Sequence, residues 1–71
     1  MKKKNYLLYV SPFITKNGYR VRELSLFDTS LDYVIISYCG YWSLSIVHFL
    51  NMFNIDKNDC DIVYMGAIDN E

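Results

Sequence analysis

Apolar and polar positions change their spacing along the chain, and the changes mark out the elements. Tyr6 to Val10 is a short apolar run, and after Ser11-Pro12 a second extended stretch leads to Asn17-Gly18. Asn-Gly between extended flanks is the preferred type I′ hairpin turn, because both central residues need positive φ. With Lys16 facing Tyr19, the pairing predicts Ile14 opposite Val21, Thr15 opposite Arg20 and Phe13 opposite Arg22. Carried further, it sets Val10 against Ser25, Tyr9 against Leu26 and Leu8 against Phe27. Pro12 cannot donate to a ladder, so the first strand is expected to lie at an edge or to bulge there.

Asp28-Thr29-Ser30 reads as a turn. Tyr33 to Tyr38 is dense in β-branched and aromatic residues and apolar on both faces, which predicts a central strand. Gly40 is expected to end it. From about Trp42 to Phe53 the spacing becomes helical, with Trp42, Ile46, Phe49, Leu50 and Phe53 on one stripe. Asn54 is placed to stop the helix in a left-handed conformation, and Ile55 to supply the accompanying apolar contact. Asp56 to Asp59 reads as a polar loop and Ile62 to Met65 as the last strand. The expected fold is α+β: a small four-stranded sheet in the order β-β-β-α-β, with one helix packed on one face. A right-handed crossover makes the strands on either side of the helix parallel.

Composition agrees with a packed core. The chain has 71 residues, 52% hydrophobic and 17% aromatic, and reads as a single domain over 1–71. A domain this short buries only ~60% of the surface of its unfolded chain, so its apolar residues must be used efficiently. Tyr33 to Ile55 contains no Asp, Glu, Lys or Arg, a length that could span a bilayer. His48, Asn51 and Asn54 inside it make a membrane helix the costlier reading, and a strand followed by a packed helix explains the same residues. Met1-Lys2-Lys3-Lys4 resembles a signal n-region, but the apolar run behind it is too short for a signal. The expectation is a cytoplasmic protein without a membrane partner.

Charge adds the most unusual feature. Residues 1–22 hold six of the seven basic residues and no acid, whereas residues 23–71 hold all eight acids and one base, Lys57. The two segments are thus +6 and −7, for a net −1. One reading is two solvated halves that neutralise each other on folding. Another is that an acidic pole, with Asp56, Asp59, Asp61 and Asp69, docks a basic protein surface. A third places nucleic acid on the basic hairpin, where Lys16, Arg20 and Arg22 would grip phosphate and Tyr19 would stack a base. The net charge of −1 and the lack of any RNA- or DNA-binding signature weigh against that third reading.

Candidate chemistry is sparse. Cys39 and Cys60 are too few and too far apart in pattern for a disulfide scaffold, although a single bridge between them stays open. Cys39 and His48 are nine residues apart and show no nucleophile–base arrangement. One His and two dispersed Cys lack metal-ligand spacing, and three glycines form no phosphate loop. No enzyme activity, cofactor or metal is expected. On the far side of the predicted helix, Leu44, His48 and Met52 offer an exposed surface for another protein or for a second copy. The favoured expectation is a small non-catalytic protein-binding module. Small acidic-ended chains of this kind occur among phage and mobile-element inhibitors of host machinery, anti-CRISPR proteins included, an analogy of size and charge that no motif carries. The alternatives are a nucleic-acid-binding accessory protein and a small homo-oligomeric structural subunit.

Overall fold

The computed structural model describes residues 4–66. They form an α+β fold with the strands β1 (Tyr6–Val10), β2 (Ile14–Lys16), β3 (Tyr19–Asp28), β4 (Ile35–Trp42) and β5 (Cys60–Tyr64). The helix α1 (Ile46–Met52) and a 3-10 turn (Lys57–Asp59) lie between β4 and β5. The sheet has five strands rather than four, because the first predicted strand is split in two.

Asn17 (φ 53°) and Gly18 (φ 83°) make the hairpin turn as expected, and the predicted pairs Lys16–Tyr19, Thr15–Arg20 and Ile14–Val21 form. Beyond Pro12 the predicted register fails by one residue. Val10 faces Leu24, Tyr9 faces Ser25 and Leu8 faces Leu26. Ser11, Pro12 and Phe13 stand opposite Arg22 and Glu23 alone, so the first strand carries one extra residue. That is a bulge, and a one-residue slip exchanges the faces of a strand. Leu8 and Val10 therefore share the buried face with Leu24 and Leu26, not with Ser25 and Phe27. Ser11 closes the gap: its main-chain N–H donates to the Glu23 carbonyl at 3.0 Å, and its hydroxyl accepts from the Glu23 N–H at 2.7 Å.

The strand expected at the centre of the sheet lies at its edge. β3 pairs with β1 over Leu24–Asp28 and with β4 over the same residues, so β1 and β4 occupy its two sides. β5 lies parallel to β1, on the side away from β3. Among the described residues β4 has β3 as its one sheet neighbour, and it begins at Ile35, not Tyr33. Gly40 lies inside it, opposite Leu24. β4 and β5 run parallel, as the crossover requires, but with β3 and β1 between them.

The helix is shorter than its aromatic spacing implies. Trp42 ends β4 and does not belong to α1. Ser45 caps the helix, its hydroxyl accepting from the His48 N–H at 3.1 Å, and Trp42 Nε1 donates to the Ser45 carbonyl at 3.0 Å. At the other end Asn54 takes φ 57°. Ile55 N–H reaches the Leu50 carbonyl at 2.9 Å and Asn54 N–H the Asn51 carbonyl at 3.1 Å. These are the two bonds of a Schellman stop. Ile46, Phe49 and Leu50 bury against Leu8, Val10, Leu24, Leu26, Ile55 and Cys60. Tyr38, Trp42 and Phe53 surround Phe49 with ring centroids 5.1, 5.1 and 4.8 Å away.

Candidate functional site

The acidic residues after the helix do work within their own chain. Asp56 caps the 3-10 turn, accepting from the Asn58 N–H at 2.9 Å. Asp59 takes two hydrogen bonds from Asn5, from its main-chain N–H and from its side-chain amide, each at 3.1 Å. Asp61 pairs with Lys4 at 3.5 Å. The Asp59 and Asp61 contacts tie the start of β5 to the start of β1, where Tyr6 stands opposite Cys60 in parallel register. Asp69 lies outside the described residues.

The basic hairpin is engaged in the same way. Arg20 and Arg22 both stack on Phe13, with guanidinium carbons 4.0 and 3.7 Å from the ring centroid. Arg22 is 1% exposed, so it cannot reach a phosphate chain in this conformation. Lys16 lies over the Tyr41 ring at 4.9 Å, and Tyr19 stands exposed beside it. Lys16, Tyr19, Val21, Tyr41 and Ser43 line a shallow cleft of about 410 Å³. Of the hairpin residues predicted to bind nucleic acid, the fold brings Lys16 and Tyr19 together and takes Arg22 away.

On the helix side, Leu44 precedes the Ser45 cap and so lies before α1, not on its outer face. His48 and Met52 are on the helix and exposed, and Val47 joins them there. His48 rests against Trp42, ring centroids 5.9 Å apart.

No protein family model matches the chain, and no curated protein or solved structure does either.

Sequence reasoning missed the far face of the sheet. With Leu8, Val10, Leu24, Leu26 and Cys60 turned to the helix, strand alternation turns Leu7, Tyr9, Phe27, Tyr41 and Val63 the other way. No element among the described residues covers them. Tyr9 and Phe27 pack edge to face at 5.6 Å, and Ile36 beside them is 64% exposed. The bulge at Pro12 also brings Ile14 to this side. Glu23 and Asp61 stand among these apolar groups. The signal was present in the alternation of β1 and β3, but the expected register sets Leu8 against Phe27 and Tyr9 against Leu26, which mixes the residues of the two faces.

The two thiols lie on opposite faces of the sheet. Cys39 is exposed on the open face and Cys60 is buried beneath the helix, and both are free. Burial pushes the Cys60 thiol above its usual pKa. Among the described residues no three His, Cys, Asp or Glu side chains converge as metal ligands, and no helix is long and apolar enough to cross a membrane.

Proposed function

We propose that the chain is a non-catalytic protein-binding module whose contact surface is the open face of its sheet. The observation that carries this reading is the uncovered set Leu7, Tyr9, Phe27, Ile36, Tyr41 and Val63. A two-layer fold needs one apolar sheet face, and this one has two. Half-buried Leu7, Tyr9 and Phe27 bordered by exposed Ile36, Tyr41 and Val63 have the aromatic, apolar composition of a protein interface core. Glu23 and Asp61 stand on that face together with Lys4, paired with Asp61 at 3.5 Å, and Lys16, over the Tyr41 ring; such a charged border acts mainly on association rate. The charged residues are thus the rim and the aromatic face the anchor. The proposed partner is a protein with an apolar patch bordered by charges of both signs.

The test is capture of a partner from native cells with three proteins: wild type, Val63→Lys on the open face, and Val47→Lys on the outer face of the helix. Loss of the partner with Val63→Lys and retention with Val47→Lys is the expected result. The opposite pattern moves the interface to the helix and overturns the reading. So does a low-salt gel shift in which short single-stranded DNA or RNA binds tightly.

A further inference from the structure

The two edges of the sheet differ. The β5 edge carries Asp61, paired with Lys4, and an edge charge discourages pairing with another chain. The β4 edge carries no charge and no proline over Ile35–Trp42, and no charged residue occurs from Tyr33 to Ile55. A long uncharged edge strand is the form that natural sheets usually avoid.

Which main-chain groups this edge presents follows from the ladder. Glu23 directs its N–H and carbonyl towards Ser11, so Arg22 and Leu24 direct theirs towards β4. Their partners Trp42 and Gly40 must point back. Tyr41 and Cys39 therefore direct their N–H and carbonyl groups outward. The Tyr38 hydroxyl donates to the Tyr41 carbonyl at 3.2 Å, as that direction requires.

We infer that β4 pairs antiparallel with β4 of a second copy, about a two-fold axis at Cys39, to make one continuous sheet. The occupant must be an extended strand, because the outward groups are strand hydrogen-bonding groups. β4 has no charged side chain of its own over Ile35–Trp42, so two copies of it meet without like charges directly opposite. A second copy supplies such a strand, and antiparallel pairing is symmetric, so one contact serves the Cys39 groups of both edges. Only a two-fold axis perpendicular to the sheet joins two such edges. It keeps each residue opposite one of its own face, which requires one residue of β4 to stand opposite its own twin on the axis. With Cys39 on the axis, Tyr38 stands opposite Gly40, a large side chain against none. The outward groups of Cys39 then bond to their twins, and the irregularity between Leu26 and Phe27, where β4 has the extra Ser37, ends the pairing. Both helices lie on one side and both open faces on the other. The edge and the open face are different surfaces, so this inference does not rest on the function proposed above.

Sedimentation equilibrium of the full chain from micromolar to millimolar concentration, under reducing conditions, tests it. Wild type and Cys39→Ser should both rise from the 8.4 kDa of one chain to twice that mass. Cys39→Glu should stay at the lower mass, because it sets two carboxylates against each other on the axis. Cys39 is exposed, and an unchanged circular dichroism spectrum of the variant would show that its fold persists. A single 8.4 kDa species at every wild-type concentration overturns the inference. Dimerisation of Cys39→Glu equal to wild type also overturns it, by placing the contact elsewhere.

Discussion

The guanidinium carbon of Arg22 lies 3.7 Å from the centre of the Phe13 ring, and Arg22 is buried although it belongs to a strand end near the hairpin. The Pro12 bulge makes this contact, because the extra residue brings Phe13 beside both Arg20 and Arg22. An aromatic face over a desolvated cation contributes on the order of 2 kcal/mol, against ~0.5–1 at an exposed site. Phe13→Ala should therefore lower stability by about 2–3 kcal/mol, cation contact and lost packing together. Arg20→Ala, on the exposed side of the ring, should cost no more than ~1 kcal/mol. Urea midpoints of the two variants decide this, and equal midpoints would refute the stacked arrangement as a source of stability.

The turn offers a cleaner backbone experiment. A Cβ added at Gly18 would meet nothing within 4 Å, so the cost of a side chain there is conformational alone. At φ 83° a β-branched residue is strained, and Gly18→Val should lose about 1–2 kcal/mol. Gly18→Asn should lose less, because Asn tolerates positive φ. Chemical denaturation of the pair checks the order; Val equal to Gly would mean that the turn does not hold this conformation in solution.

Phe49 is fully buried among three rings, and Phe49→Ala should cost ~3–5 kcal/mol. In a domain of this size that loss can abolish folding. Phe49→Leu keeps most of the volume and should fold with a reduced melting temperature. A Phe49→Ala protein melting with wild type would show that α1 does not pack through this ring.

Two groups should respond to pH in opposite senses. The Ser30 hydroxyl, and then its N–H, hold the Asp28 carboxylate below its usual pKa. A depressed folded pKa means that this stabilisation is present above the ordinary Asp range and is lost as pH falls through the folded value. Ser30→Ala should raise the Asp28 titration point seen by NMR. Cys60, raised by burial, contributes stability below the unfolded thiol pKa and loses it as pH rises through the folded one. Cys39 should react with a thiol reagent at once, and Cys60 only on unfolding. Equal reactivity in the native protein would contradict the burial of Cys60.

The parts of the fold that the sequence reveals are those set by neighbours along the chain. Asn17-Gly18 dictates its own turn, and Asn54 with Ile55 dictates the end of α1. Three expectations failed where distant residues decide. The register ran through Pro12 because an extra residue leaves no mark on hydrophobic alternation. Trp42 joined the helical stripe because its spacing to Ile46 suits a helix, although Ser45 is the residue able to cap one. Tyr33 to Tyr38 was assigned to the sheet centre because apolarity on both faces usually signals burial on both; here one face of β4 meets the core and the other is uncovered. The same ambiguity governs the site. The acids and arginines that looked available for a partner are held by Asn5, Lys4, Asn58 and Phe13, contacts that span up to 54 positions.

The parallel seat of β5 beside β1 has a consequence for when the molecule can close. Synthesis from the N-terminus delivers β1 to β4 and the helix before β5, and the hairpin contacts of β1 form early because they are local in the chain. The other edge of β1 must wait for residues more than fifty positions away. Until they arrive, one of the two inner strands of the finished sheet is an open edge next to an unfilled core. A chain stopped before Asp59 thus loses more than one strand: it leaves β1 as an apolar template at the moment when nascent chains are most crowded.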